Sequence, residues 1–161
     1  VCDSINNRLQ FFDIASGVFI RSVGTSGSGL GEFIYPCGVC FDSSSDSLYV
    51  VDQFNHRVCV LSSRDGSFKR SFGSEGSGNG QFNRPHDVCV SDDGQFIAVA
   101  DWDNHRVQIL RNDGSFVASY GSFGMGEGQF FYPFRMCLSS EDDLLVCDNG
   151  NNRIVRIHAL N

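Results

Sequence analysis

The chain has 161 residues, 41% hydrophobic and 12% aromatic, which is enough apolar side chain to build a core and excludes an intrinsically disordered segment. Nineteen acidic and 12 basic residues leave a formal charge of −7, and all the basic residues but Lys69 are Arg; this balance argues against an extended phosphate-binding surface. No run of 18 apolar residues occurs, so no membrane-spanning helix is expected.

Residues 1–23 open with Asp3, Asn6 and Arg8 in the spacing D-x-x-N-x-R, followed by alternating apolar residues. The pattern returns as Asp52, Asn55, Arg57, then Asp101, Asn104, Arg106, then Asp148, Asn151, Arg153. The aspartates are 49, 49 and 47 residues apart (52 − 3, 101 − 52, 148 − 101), so the chain is an internal repeat of about 48 residues. Residues 37–72 form a complete unit. Cys37 to Phe41, Leu48 to Val51, Arg57 to Leu61 and Phe68 to Phe72 read as four short strands, with a polar turn after the first and a tight Asp65-Gly66 turn before the last. A glycine-rich connection then runs to Pro85. Residues 86–120 repeat the same four strands, and a second such connection runs to Pro133. Residues 134–158 supply three strands more. The three prolines, Pro36, Pro85 and Pro133, are repeat-equivalent, each just before a first strand, where a missing N–H breaks no ladder bond.

Two complete units flanked by two partial ones, with no helical period, predict an all-β fold: a single partial β-propeller over 1–161, built of four-stranded antiparallel blades. The motif set resembles the NHL repeat, a propeller family named for an Asn-His-Leu core. Asn55-His56-Arg57 and Asn104-His105-Arg106 carry two of those letters, and the G-x-G-x-G-x-F…P connection is matched at 27–36, 76–85 and 124–133. The resemblance covers essentially the whole chain and is similar to the NHL domains of tripartite-motif proteins. It implies a ring of about six blades, of which this chain is roughly half. A piece of a longer protein is therefore expected in preference to a self-assembling half-propeller.

The D-x-x-N-x-R residues recur in every unit, so they read as a turn-fixing device in which the carboxylate accepts turn N–H groups and pairs with the guanidinium, and Asn takes a left-handed turn. Phe33, Phe82 and Phe130 read as plugs between blades. The connections lack a G-K-[ST] ending, so they are not phosphate loops. Seven Cys, with Cys40, Cys89 and Cys137 equivalent, read as small buried hydrophobes in a reducing, intracellular and cytoplasmic setting.

Positions that differ between units are the functional candidates. After the prolines stand Cys37-Gly38, His86-Asp87 and Phe134-Arg135. They enter the innermost strand, at the channel mouth, with Arg84 and His105 on the same face. Arg84, His86, Asp87, His105 and Arg135 are thus the candidate partner-binding residues. The opposite face, with Asp13, Asp42, Asp46, Asp65, Asp92, Asp93, Asp113, Glu141, Asp142 and Asp143, should be acidic and repel nucleic acid. The reading is a non-catalytic recognition or scaffold module for a protein or peptide, without cofactor or metal. The resemblance implies two alternatives. One is RNA binding or ubiquitin-ligase substrate recognition, disfavoured here by net charge. The other is a zinc enzyme similar to peptidyl-hydroxyglycine amidating lyases, suggested by Pro85-His86-Asp87; there Phe134 stands where a third ligand is needed.

Overall fold

The computed structural model describes residues 1–139 and 143–158; Glu141 and Asp142 lie outside the described residues. Sixteen strands are present among them. The first sheet holds β1 (Cys2–Asp3), β2 (Arg8–Phe12) and β3 (Phe19–Val23); β4 (Thr25–Ser26) and β5 (Glu32–Phe33) form a small parallel pair after it. The second sheet holds β6 (Pro36–Asp42), β7 (Ser47–Asp52), β8 (Arg57–Ser62) and β9 (Phe68–Phe72). The third holds β10 (Pro85–Val90), β11 (Phe96–Asp101), β12 (Arg106–Arg111) and β13 (Phe116–Tyr120). The fourth holds β14 (Pro133–Leu138), β15 (Leu144–Asp148) and β16 (Arg153–Ile157). Each sheet is an antiparallel meander in sequence order, and the inner strand β10 packs beside both β6 and β14. This is the blade arrangement of a β-propeller.

Sequence periodicity explains the stacking. Alternate residues of a strand face opposite sides, and here both sides of the second and third sheets are covered. Tyr49, Val51, Val58 and Val60 of the second sheet meet Val88, Val90, Ile97, Val99 and Leu110 of the third. The other face of the third sheet, Ala98, Ala100, Val107 and Ile109, meets Met136, Leu144 and Val146 of the fourth. Leu9 of the first sheet meets Val50, Cys59 and Leu61 of the second. One phenylalanine closes each layer: Phe33, Phe82 and Phe130 are 0%, 0% and 3% exposed.

The cysteines depart from expectation. Cys37, Cys59 and Cys89 are buried, Cys2, Cys40 and Cys147 half-buried, and Cys137 exposed; all seven are free thiols. Cys137 pairs with Leu145 on the face of the fourth sheet that no other sheet of the described residues covers, and Ile154 on that face is 63% exposed. At the other end β1 has two residues, so Val39 and Phe41 of β6 stay open and line an apolar groove of about 430 Å³ with Leu9 and Phe11.

The repeated motif works differently from the sequence reading. Each Asp-x-x-Asn is a single 3-10 turn, Ser4–Asn6, Gln53–Asn55, Trp102–Asn104 and Asn149–Asn151. The left-handed residue is the one after the Asn: Asn7, His56, His105 and Asn152, with φ of 54, 53, 53 and 52°. The carboxylate does not cap its own turn. Instead, Asp52, Asp101 and Asp148 accept the backbone N–H of Ile34, Asn83 and Phe131, each two residues before a proline, at 2.7 Å. The second carboxylate oxygen accepts from the motif Asn and Arg, as when Asn104 and Arg106 donate to Asp101 at 2.9 and 2.7 Å. In the last three units the other end of the guanidinium donates to carbonyls of the glycine-rich connection: Arg57 to Ser28, Gly29 and Glu32, Arg106 to Gly78 and Gln81, and Arg153 to Met125, Gly126 and Gln129. The motif is therefore a clamp on the connection, and it satisfies backbone carbonyls that no ladder reaches.

Candidate functional site at the inner strands

The left-handed residue after each motif Asn projects an acceptor toward the next sheet. Asn7 Oδ1 accepts the N–H of Tyr35 at 2.8 Å, His56 Nδ1 that of Arg84 at 3.2 Å, and His105 Nδ1 that of Tyr132 at 3.2 Å. Tyr35, Arg84 and Tyr132 precede the prolines and have positive φ of 60, 49 and 60°. Each junction is thus latched by a side chain on one sheet and a strained backbone N–H entering the next. Arg84 and His105 of the candidate set belong to these latches.

The chain then enters the inner strand through a break in register, between Pro85 and Asp87 in β10 and between Pro133 and Met136 in β14. The bulge re-aims two side chains per sheet. His86 and Asp87, expected to present themselves to a partner at the channel mouth, are only 8% and 7% exposed. The reason is aromatic packing: the His86 ring lies 3.8 Å from that of Phe134 and 5.6 Å from that of Trp102, centroid to centroid. Asp87 spans the third and fourth sheets. Its Oδ2 accepts the Met136 N–H at 2.8 Å, and its Oδ1 lies 3.4 Å from Arg135 Nη1. Arg135 is half-exposed, and its guanidinium sits 5.5 Å above Phe134. On the other side, Gly38 of β6 touches Asp87. A Cβ there would stand 2.7 Å from the Asp87 Cα, so only glycine lets the two inner strands approach. Cys37 donates its thiol to the His86 carbonyl at 3.1 Å.

Among the candidate residues, the structure gathers His86, Asp87 and Arg135. Arg84 stands apart at the preceding latch, 3.6 Å from Asp103 and 5.6 Å above the Phe54 ring. His105 joins the group only through rings, touching Tyr132, which touches Trp102, which touches His86. Trp102, Tyr132 and Phe123 were not found from sequence. Trp102 occupies a variable position inside the repeated motif, and its being the only Trp of the chain is the signal that was there to be used.

Burial sets the protonation states. It lowers the pKa of His86 to about 4, with the Arg135 cation adding to the effect. It raises that of Asp87, against the Met136 N–H and Arg135. It pushes the Cys37 thiol up to about 12 and the Cys2 thiol to about 11, so neither is a ready nucleophile. Among the described residues no three His, Cys, Asp or Glu side chains converge as a metal set. The two titrations act on stability in opposite senses. The folded protein holds His86 neutral while the unfolded chain gains a proton, so its contribution is complete above pH 6.5 and lost as pH falls toward about 4. The folded Asp87 keeps its proton longer than the unfolded chain does, so its contribution is present below the ordinary value of 3.8 and lost as pH rises through the raised one. Urea unfolding of His86→Gln between pH 6.5 and about 4 should show a shallower loss of stability than the native chain. An equal slope in both proteins contradicts the assignment.

With this geometry in hand, known proteins place the chain. The NHL repeat family matches residues 82–110, and a family described as 6-bladed beta-propeller matches residues 1–60. No curated protein sequence matches. Among solved structures, a protein of unknown function from Bacteroides thetaiotaomicron is 20% identical with a TM-score of 0.70, covering 92% of this chain and 41% of its own. An auxiliary nutrient binding protein from the same organism is 16% identical with a TM-score of 0.69, covering 95% and 43%. A catalytically inactive virginiamycin B lyase from Staphylococcus aureus, bearing Quinupristin, is 16% identical with a TM-score of 0.67, covering 94% and 45%. The chain spans less than half the length of these structures, and at such identity the likeness is one of fold.

Proposed function

We propose that this chain, an NHL-repeat β-propeller, acts by recognition rather than catalysis and binds a protein or peptide partner at the mouth formed by its inner strands. The observation that carries this reading is the contrast between repeated and unrepeated residues. The Asp, Asn and Arg of the motif recur in each unit, whereas the inner-strand entries are Cys37-Gly38, His86-Asp87 and Phe134-Arg135. A structural device repeats with the architecture; a recognition surface need not. The fold suits a binding or scaffold module but does not decide the role, since among relatives of the same fold one is described as a nutrient binding protein and one as a virginiamycin B lyase. The raised thiol pKa values and the neutral, stacked His86 supply no activated nucleophile or paired acid and base. With a partner identified by capture on the protein, His86→Ala and Arg135→Ala should each weaken its binding about tenfold or more while leaving the fold intact. Undiminished binding by both would remove the site. RNA recognition remains the weaker reading. The motif arginines Arg57, Arg106 and Arg153 are committed to their aspartates and to backbone carbonyls, and so are poor phosphate ligands.

A further inference from the structure

The junction between the third and fourth sheets differs from the two junctions before it. Its latch, His105, contacts Phe123 at 4.9 Å, Phe131 at 5.8 Å and Tyr132 at 4.6 Å between ring centroids. The repeat-equivalents of Phe123 are Ser26 and Glu75, and those of Phe131 are Ile34 and Asn83. Neither earlier junction carries this cluster. Phe123 and Met125 in its glycine-rich connection are 64% and 72% exposed. From there a line of rings runs inward through Tyr132 and Trp102 to His86 and Phe134. The line ends at two buried polar atoms without partners, Trp102 Nε1 and His86 Nδ1. His86 is over nine-tenths buried. An indole N–H can only donate, and a neutral imidazole offers one donor and one acceptor nitrogen. A group that both accepts and donates, such as a backbone amide, would satisfy the pair. Such orphaned groups are costly and unusual unless something completes them. Beside them the Arg135 guanidinium is half-exposed and meets its one carboxylate at only 3.4 Å. Arg84, half-exposed and 3.6 Å from Asp103, stands apart at the preceding latch, over the Phe54 ring.

We infer that this junction holds an extended, acidic peptide segment: an aromatic or proline side chain lies on the Phe123–Tyr132–Trp102 rings, a backbone amide faces Trp102 Nε1 and His86 Nδ1, and a carboxylate pairs with Arg135. This rests on the recognition reading above and deepens it by naming the junction and the partner's chemistry. Charge decides among occupants. The ring ledge alone would accept a nucleobase, but the cation beside it is the single Arg135, and a phosphate backbone needs a row of cations.

Trp102 is the only tryptophan, so its emission reports on this site alone. The full chain is titrated with acetyl-Glu-Phe-Glu amide and acetyl-Glu-Pro-Glu amide, with their Gln-for-Glu counterparts, and with decauridylate. The expected result is a saturable change in Trp102 emission with an acidic peptide, about tenfold weaker for the Gln peptide, and likewise about tenfold weaker in Arg135→Gln. Phe123→Ser, an exposed position, should weaken it severalfold, and Lys69→Ala, remote from the junction, should not change it. Equal binding of the acidic and neutral peptides, no saturable change with either acidic peptide at millimolar concentration, or tighter binding of decauridylate each overturns the inference. If the peptides fail while a captured partner still depends on His86 and Arg135, the inference falls alone; if that dependence fails too, the recognition reading falls with it.

Discussion

Asp101→Ala should lower the free energy of unfolding by about 3–5 kcal/mol, enough to unfold many domains of this size. The carboxylate is fully buried. It accepts hydrogen bonds from Asn104, Arg106 and Gln108 side chains and from the Asn83 N–H. Removing it leaves the Arg106 guanidinium, 12% exposed, without its counter-ion, and leaves the part-buried Asn83 N–H without an acceptor. The loss reaches beyond the turn, because Arg106 also holds the carbonyls of Gly78 and Gln81 in the connection. Asp52→Ala should behave alike, since Asp52 is equally buried and its Arg57 nearly so. Asp3→Ala should cost visibly less, since Asp3 keeps some exposure and Arg8 is 40% exposed. Equilibrium urea unfolding of the three variants tests this order. Equal, small effects would mean that the clamp is ornamental.

Phe82→Ala comes second, with an expected loss of about 3–5 kcal/mol from the missing contacts and the void left behind. The ring is fully buried between the second and third sheets, among Val51, Val58 and Val99. It cannot be replaced by backbone sliding inward. Gly73 already lies against it so closely that a Cβ would stand 2.5 Å from the ring, and it holds φ near +97° to do so. Phe82→Leu should recover most of the loss, because volume and not aromaticity is what the layer requires. Phe82 is the neighbour of Asn83, whose N–H reaches Asp101, so Phe82→Ala combined with Asp101→Ala should cost less than the sum. Chemical denaturation of the double variant would settle whether plug and clamp form one unit.

Much of the architecture was legible because repetition amplifies weak local signals. One D-x-x-N-x-R means little; four at nearly constant spacing, with three prolines and three phenylalanines in step, define the meander and the sheets. The limits of that reading are physical too. Spacing cannot tell whether a carboxylate bonds its own turn or a strand entry 18 residues upstream, and Asp101 chose Asn83. Nor does it show which residue of a turn is left-handed; His56 and His105 are, although the preceding Asn has the stronger intrinsic preference. At the candidate site, departure from the repeat pointed to His86, Asp87 and Arg135. It missed Trp102, whose equivalents Ser4, Gln53 and Asn149 all differ without visible meaning before the rings were seen in contact, and Tyr132, whose recurrence as Tyr35 made it read as part of the repeat. The exposure of Cys137 was likewise hidden, since its strand has the same alternation as those of the interior.

The latches and plugs join each sheet to its immediate neighbours, while near the axis Arg135 of the fourth sheet also reaches the Cys37 carbonyl of the second, at 3.5 Å. Asn7 reaches Tyr35, His56 reaches Arg84, His105 reaches Tyr132, and no latch skips a sheet. Cooperativity in such an array is therefore mainly between neighbours. Each boundary contributes its own coupling energy, and order propagates along the row like a zip. Among the described residues, the second and third sheets are coupled on both flanks. A defect at one boundary lowers the correlation between the two parts it separates and leaves the order within each part largely intact. The glycine-rich connections are then more than tethers: clamped by one unit and latched to the next, they are where the energetic independence of adjacent repeats is set.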